Sequence, residues 1–373
     1  MKTCRIDDIP FDDHNDPRTW NRKIGGKFKD IKGYHIGGNS VVVPPEMMDE
    51  KLPEIIKHYP NLDLCAKINI RYINQTYNLD KYTIKNIAWL NGFGPRVYQV
   101  FDVKCGEQLC YHAHLMEYIR GSHPSTNKAI KLWVKYEKKF EKHHIKFFGR
   151  DLFPSNFIGR RLIDYDEFYL GNKKAYARRV RRDYKKHTFW GNPASPYQDI
   201  PMLRIKGCRS YDRFRLLGMD KLDLEGKTIL DIGCSGGQVL FWAAERGAAR
   251  IVGLDTPAIA RVTFELANLY HYFNIETIGC DLNEDNIVEL VKKQTGLDKF
   301  DYVVMFSVNA HIGFHQYMKD LCGGTLFLET NAAKMPEVER VEYPEILKKM
   351  GYTKFEYKGQ VNESGGRSLF RCQ

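Results

Sequence analysis

TILDIGCSGGQVLFWAAERGAARIVGLD, Thr228 to Asp255, is the stretch whose reading decides the fold. An apolar run, Thr228 to Ile232, leads into Gly233, Cys234, Ser235, Gly236 and Gly237, and helix-forming residues follow from Gln238. Glycines at such a bend let the backbone turn sharply and let a ligand approach closely, because no Cβ intervenes. The amides that open the next helix then face that ligand. A second apolar run closes on Asp255, 22 residues after Gly233, where an acid is placed for ribose hydroxyls. A third run ends on Asp281 in CDLN.

Working outward, the runs TILDIG, ARIVGLD, IETIGCDL, FDYVVMFSV and GTLFLETN are separated by helix-like segments. Strands alternating with helices predict a parallel sheet covered on both faces. Their almost continuous apolar character fits strands buried on both sides. GKT at Gly226 to Thr228 does not open a P-loop: the first glycine of that motif would fall on Lys221, and the triplet precedes a strand rather than a helix.

The spacing G-x-x-G-G departs from the G-x-G-x-x-G of dinucleotide-binding folds. From about Tyr211 to the C-terminus the chain instead resembles the class I S-adenosylmethionine-dependent methyltransferases, whose first loop reads D/E-x-G-x-G-x-G; here Ser235-Gly236-Gly237 is a variant. The resemblance implies an α/β, Rossmann-like doubly wound sheet and S-adenosylmethionine as cofactor. It places Gly233, Ser235 and Gly236 along the methionine part, Asp231 at the amino group, Asp255 at the ribose, and Asp281 with Leu282 at the adenine. The segment from Phe306 to His311 would flank the sulfonium and the acceptor. For Asp255 and Asp281, a helix cap and a turn residue are the structural alternatives. His311 and Glu329 are candidate proton acceptors, and either can equally be a structural residue. GTLFLET with TILDIG is also similar to enzymes that modify the tRNA wobble uridine.

The first half carries a second ordered set of motifs. Phosphoryl transfer needs a lysine for the phosphates, a carboxylate near the attacking hydroxyl, and metal ligands. LCAKINI puts Lys67 in a strand; HLMEYIRGSHPS, with Glu117, is a strand followed by a polar segment; GRDLFPSN spaces Asp151 and Asn156; LIDYDEF offers Asp164. In this order they resemble the small lipopolysaccharide- or aminoglycoside-kinase type over roughly residues 25 to 170, a small α+β kinase-like domain. The resemblance implies ATP and Mg2+, with Lys67 and Glu117 at the nucleotide, Asp151 as base, and Asn156 and Asp164 as metal ligands. The sequence departs from that family in several places. The glycine-rich loop shrinks to GGNS, Asp166 replaces the glycine of D-F-G, and the helix after Lys67 offers Thr83 and Lys85 in place of an acid.

At 373 residues two domains are expected, at ~150 residues per domain. The boundaries read as 1–188 for the kinase-like domain, 189–210 for a linker around WGNPASPYQDIP, and 211–373 for the methyltransferase-like domain. The first domain ends in a basic helix whose Lys174, Arg178, Arg182 and Lys186 recur every four residues, either a solvated face or an anion-binding one.

The formal charge of +11 favours an anionic partner, a phosphorylated glycan or RNA. No apolar run reaches the ~18 residues of a membrane helix. Nine cysteines without a Cys-x-x-Cys pair suit a reducing compartment, so a soluble cytoplasmic protein is expected. Three readings stay open: a methyltransferase with a kinase-like nucleotide-binding module, an RNA methyltransferase whose first half grips substrate, and a non-enzymatic nucleotide-responsive interaction protein. The oligomeric state is not legible.

Overall fold

The computed structural model describes residues 3–5, 35–37, 40–69, 79–105, 109–147, 154–163, 168–188, 197–209, 211–330, 336–361 and 366–373. The chain forms two compact units, Met1–Arg178 and Arg179–Gln373.

In the first unit, strands β1 (Thr3–Arg5), β2 (His35–Gly37), β3 (Ser40–Val43), β4 (Leu64–Asn69), β5 (Val97–Cys105) and β6 (Leu109–Glu117) form one sheet in the order β1-β5-β6-β4-β3-β2. Its neighbours are antiparallel except β1 with β5. Helices α1 (Pro45–Lys51) and α2 (Pro53–Ile56) bring Met48 and Ile55 into one core with Leu64, Ala66, Ile68, Phe101 and Leu115. Helix α3 (Asp80–Leu90) buries every residue from Tyr82 to Ala88. Helix α4 (Thr126–Lys142) buries Ala129, Trp133, Tyr136 and Phe140, a stripe at three- and four-residue spacing. Trp133 stacks on Phe168 in β10 (Phe168–Leu170), which pairs with β7 (Ile145–Phe147). A hairpin of β8 (Phe157–Ile158) and β9 (Arg161–Leu162) lies between.

Helix α5 (Lys173–Thr188) crosses the boundary between the units. Tyr176, Val180, Tyr184 and Thr188 are buried at four-residue intervals, while Lys174, Arg178, Arg182 and Lys186 are exposed. The predicted alternation of faces is present, but the inner face is core rather than linker.

The second unit carries a seven-stranded sheet: β11 (Thr228–Ile232), β12 (Arg250–Asp255), β13 (Ile275–Gly279), β14 (Phe300–Phe306), β15 (Cys322–Glu329), β16 (Phe355–Val361) and β17 (Arg367–Cys372), in the order β13-β12-β11-β14-β15-β17-β16. The first five are parallel, as expected, and β17 alone runs against its neighbours. Between them run α6 (Asp212–Leu216), α7 (Gln238–Glu245), α8 (Pro257–Leu269), α9 (Ile287–Thr295), α10 (Asn309–Ile312), α11 (Tyr317–Asp320) and α12 (Pro336–Lys349). All of β11 and β12 is buried, which the uninterrupted apolar runs require. The strand order reverses between β11 and β14, which makes the carboxyl ends of these two strands the topological switch point, where ligands of such sheets bind.

The segment expected as a linker spans residues 189–210. Its described part, 197–209, is woven into the second unit. The Gln238 amide donates to Gln198 Oε1 (3.0 Å), and Gln238 Nε2 donates to the carbonyls of Asp199 (2.9 Å) and Arg209 (2.8 Å). Proline and polar residues there mark a folded strap, held by side chains far away in sequence.

Candidate functional site

Gly233 leaves β11 with φ +75°, and a Cβ there would run into Val308 Cγ2, just beyond β14. The two strand ends therefore approach closely only because residue 233 has no side chain. Ser235 (φ +48°) and Ser307 (φ +62°) both take the left-handed conformation that L-residues seldom adopt. They sit on opposite lips of one cleft, which is lined in part by Gly233, Ser235, Asp255, Asp281, Leu282 and Phe306 and has a volume of about 660 Å³. His311 lines it too, on the exposed side. Seven residues that the sequence assigns to a cofactor or to catalysis thus share one cavity.

Asp255 ties the loop together. The Ser235 amide donates to its Oδ2 (2.8 Å) and the Thr256 amide to its Oδ1 (2.7 Å). Burial raises its pKa against these two bonds and a further one from the Thr256 side chain. Its carboxylate faces the cleft, where a ligand hydroxyl can donate to it. Asp281 is exposed, and its Oδ1 accepts the amide and side-chain N–H of Asn283 (both 3.0 Å), so its pKa is lowered. It combines a turn role with a place on the cavity wall.

Asp231 does not line the cleft. It lies at the end of β11, 2% exposed, with Oδ2 lacking a partner, and burial pushes its pKa up to about 8, opposed by Arg213 and reinforced by Asp255. Gly236 is also set back: a Cβ there would meet the phenol of Tyr184, which donates to the Gly236 carbonyl (3.2 Å). Its lack of a side chain serves loop packing.

Glu329 is corrected as a candidate base. It is fully buried and accepts hydrogen bonds from Arg209 and Arg213, the latter at 2.9 Å. The two guanidiniums take up its carboxylate oxygens in the interior, away from any acceptor. Arg213 also lies over the Phe306 ring, 4.7 Å from its centroid, and so steadies a cleft residue from behind.

Sequence reasoning missed Tyr197, Gln198 and Arg367, which complete the cleft wall. Arg367 is 8% exposed; its Nη1 donates to Tyr197 Oη (3.2 Å), and its Nε has no partner. The hydroxyls of Ser235 and Ser307 are likewise buried without partners. Buried polar atoms are rarely left unsatisfied, and three around one cavity mark a place for a polar ligand.

In the first unit, Lys67 is half-buried in β4, opposite His114 of β6. Helix α3 offers the sheet Lys85 in place of an acid. Lys85 is 2% exposed, its Nζ lies 2.8 Å from His114 Nε2, and burial together with Lys85 and Lys67 holds His114 well below the ordinary histidine range. The one acid of α3, Asp80, pairs with Lys173 (2.9 Å). Glu117 closes β6 and pairs with Arg161. Asn156 ends a 3-10 turn (Pro154–Asn156), and its carbonyl accepts the Ile163 amide (2.8 Å) across the β8–β9 hairpin. Asp151 and Asp164 lie outside the described residues.

No protein-family model matches the chain. Over 37 residues it is 54% identical to ribosomal protein L11 methyltransferase of Pectobacterium carotovorum, covering 10% of this chain and 12% of that protein. Over 141 residues it is 28% identical to tRNA U34 carboxymethyltransferase of Campylobacter hominis, covering 36% of this chain and 46% of that one. A solved SAM-dependent methyltransferase from Aquifex aeolicus aligns with 43% of this chain and 88% of its own, at 17% identity and a TM-score of 0.32. The chain thus spans less than half the length of the curated relatives it matches. The strand order, the switch point and the glycine turn define the class: the second unit has the Rossmann-like α/β fold of the class I methyltransferases.

Proposed function

We infer that the second unit binds S-adenosylmethionine and transfers its methyl group to an anionic acceptor. The observation that carries this reading is the convergence of the glycine turn, Asp255, Asp281 and three unsatisfied polar atoms on one cavity at the switch point. The residues fit the cofactor. Gly233 and Ser235 offer a close backbone approach for its methionine part, Asp255 acceptors for its ribose, and Leu282 an apolar wall for its adenine, while Asp231, set back from the cleft wall, would act on its ammonium from behind the loop. The bound cofactor would supply an activated methyl on a sulfonium, the electrophile for an in-line displacement.

The chain's own task is to orient the acceptor, exclude water and take a proton where the acceptor atom carries one. Phe306 closes the wall beside the switch point, His311 stands at the cleft mouth as the candidate base, and Arg367 offers a buried cation to the acceptor's negative charge. Isothermal titration of the intact chain with S-adenosylhomocysteine is the direct test. Micromolar binding, lost by at least ten-fold in Asp255→Ala, is expected, since removing hydrogen bonds to a charged group costs ~1.5–3 kcal/mol. A folded protein that takes up no cofactor overturns the reading.

For the first unit we keep the kinase-like, nucleotide-binding reading, supported by the antiparallel sheet with Lys67 mid-strand. Lys85 of α3 reaches His114, the residue across the sheet from Lys67, so α3 brings a cation to this part of the sheet, which counts against phosphoryl transfer. ATP with Mg2+ is expected to raise the melting temperature without being hydrolysed. The measurement is a thermal shift paired with phosphate release, and steady release would restore the catalytic reading.

A further inference from the structure

A second concavity, about 640 Å³, opens behind the glycine turn in the same unit. Arg181 and Lys185 from α5, and Arg204 and Lys206 from the strap after Pro201, line it together with Met202 and Tyr270; no carboxylate among the described residues does. All four cations are exposed. They are nonetheless held on rigid supports. Arg181 and Lys185 stand one helical turn apart on α5, whose Tyr184 is buried against the glycine turn. The strap is pinned by reciprocal amide–carbonyl bonds between Ile200 and Ile205 (2.8 and 3.1 Å), with Leu203 buried beneath. Arg204 takes the left-handed conformation, φ +55°. Tyr270 donates nothing to the core: Arg181 Nη2 donates to its hydroxyl (2.6 Å), and the guanidinium carbon sits 5.6 Å from the ring centroid.

We propose that this groove binds a single-stranded nucleic-acid segment, with phosphates on the four cations and a base against Tyr270. Four cations converge on one concavity, and a polyanion is the partner that can meet all of them at once. A lone phosphate would leave the aromatic and thioether surface unused. A flat lipid surface does not follow cations into a concavity, as a strand can. Cations alternating with an aromatic platform suit a strand whose bases are unstacked and exposed. The site is separate from the cofactor cleft, so the proposal stands whether or not the cleft transfers methyl.

The test is fluorescence anisotropy of the intact protein with labelled oligouridylate and oligothymidylate of roughly 12 nucleotides, between about 50 and 200 mM NaCl. Single strands contribute a salt slope of about −0.7 per phosphate contact, so the wild type should show about −3 if all four cations engage. Arg181→Ala/Lys185→Ala and Arg204→Ala/Lys206→Ala should each flatten the slope by about 1.4 and weaken binding more than ten-fold at the lower salt. Tyr270→Leu should lose about five-fold or more with the slope unchanged, the mark of stacking rather than charge. Lys292→Ala/Lys293→Ala, on the exposed side of α9, should bind as wild type.

The two strands distinguish the natural ligand: an RNA preference points to a 2′-hydroxyl contact and equal binding to either source, both supporting the groove. Absence of binding below about 100 µM overturns the proposal. So does wild-type affinity in both charge variants. So does heparin binding lost in parallel while Tyr270→Leu is silent, which would reduce the groove to a general polyanion surface. Circular dichroism on each variant separates loss of binding from loss of fold, and the strap pair, fully at the surface, leaves the core untouched.

Discussion

Asp231 and Gly233 sit two residues apart and work in different ways. Burial keeps the Asp231 carboxyl protonated up to about pH 8 in the free protein. A folded-state pKa raised above the unfolded value gives a contribution to stability that is fully present below about pH 4 and is lost as pH rises through about 8. A cationic ligand group in the cleft in front of it lowers that pKa, so cofactor binding near pH 7 should release a proton. Titration calorimetry in buffers of different ionisation enthalpy should show this release in the wild type and none in Asp231→Asn. Gly233 acts through space. With φ +75° and Val308 against it, Gly233→Ala should weaken S-adenosylhomocysteine at least ten-fold and lower the melting temperature, because the added methyl both strains the turn and pushes the two strand ends apart. Gly233, Ser235, Asp255 and Asp281 were legible in the sequence because glycines at a strand end and acids at the next two strand ends carry a recognisable spacing. Arg367 was not, since an arginine opening a terminal strand looks like any surface cation until its burial beside Tyr197 is known.

Among elements, β15 joins the site to the body of the second unit. Glu329 at its end accepts from Arg209 of the strap and Arg213 of α6, all three almost fully buried. Removing one partner leaves buried charge uncompensated, so Glu329→Ala should cost ~3–5 kcal/mol, read from urea denaturation. The pH dependence of any methyl transfer should keep its shape, which a true base would not allow. The first five strands of this sheet were legible from their apolar runs. Strands β16 and β17 were not: β16 is half-buried along most of its length, with no inside–outside alternation, and carries Gly359, so only its partner fixes it as a strand. The strap 197–209 is hard to read from sequence for a related reason. Its composition is that of a loop, and the hydrogen bonds that fold it onto α7 come from residues more than twenty positions away.

At the scale of the whole molecule, each unit has its own sheet and its own buried cluster. Calorimetry should therefore resolve two transitions. S-adenosylhomocysteine at about a hundred times its dissociation constant should stabilise only one of them, by ~2.7 kcal/mol. A single transition, shifted as a whole, would mean that the units fold as one.

By itself the sequence determined the class of the second unit and most of its cleft, because strand-length apolar runs, a glycine turn and acids at strand ends are local patterns with a fixed geometric meaning. Tertiary structure alone decided that Glu329 is a buried ion-pair partner, that Gly236 faces Tyr184, that α3 sets Lys85 against His114, and that the strap belongs to the second unit. These depend on which distant side chain arrives at a given place, and long-range packing carries no periodic signature along the chain.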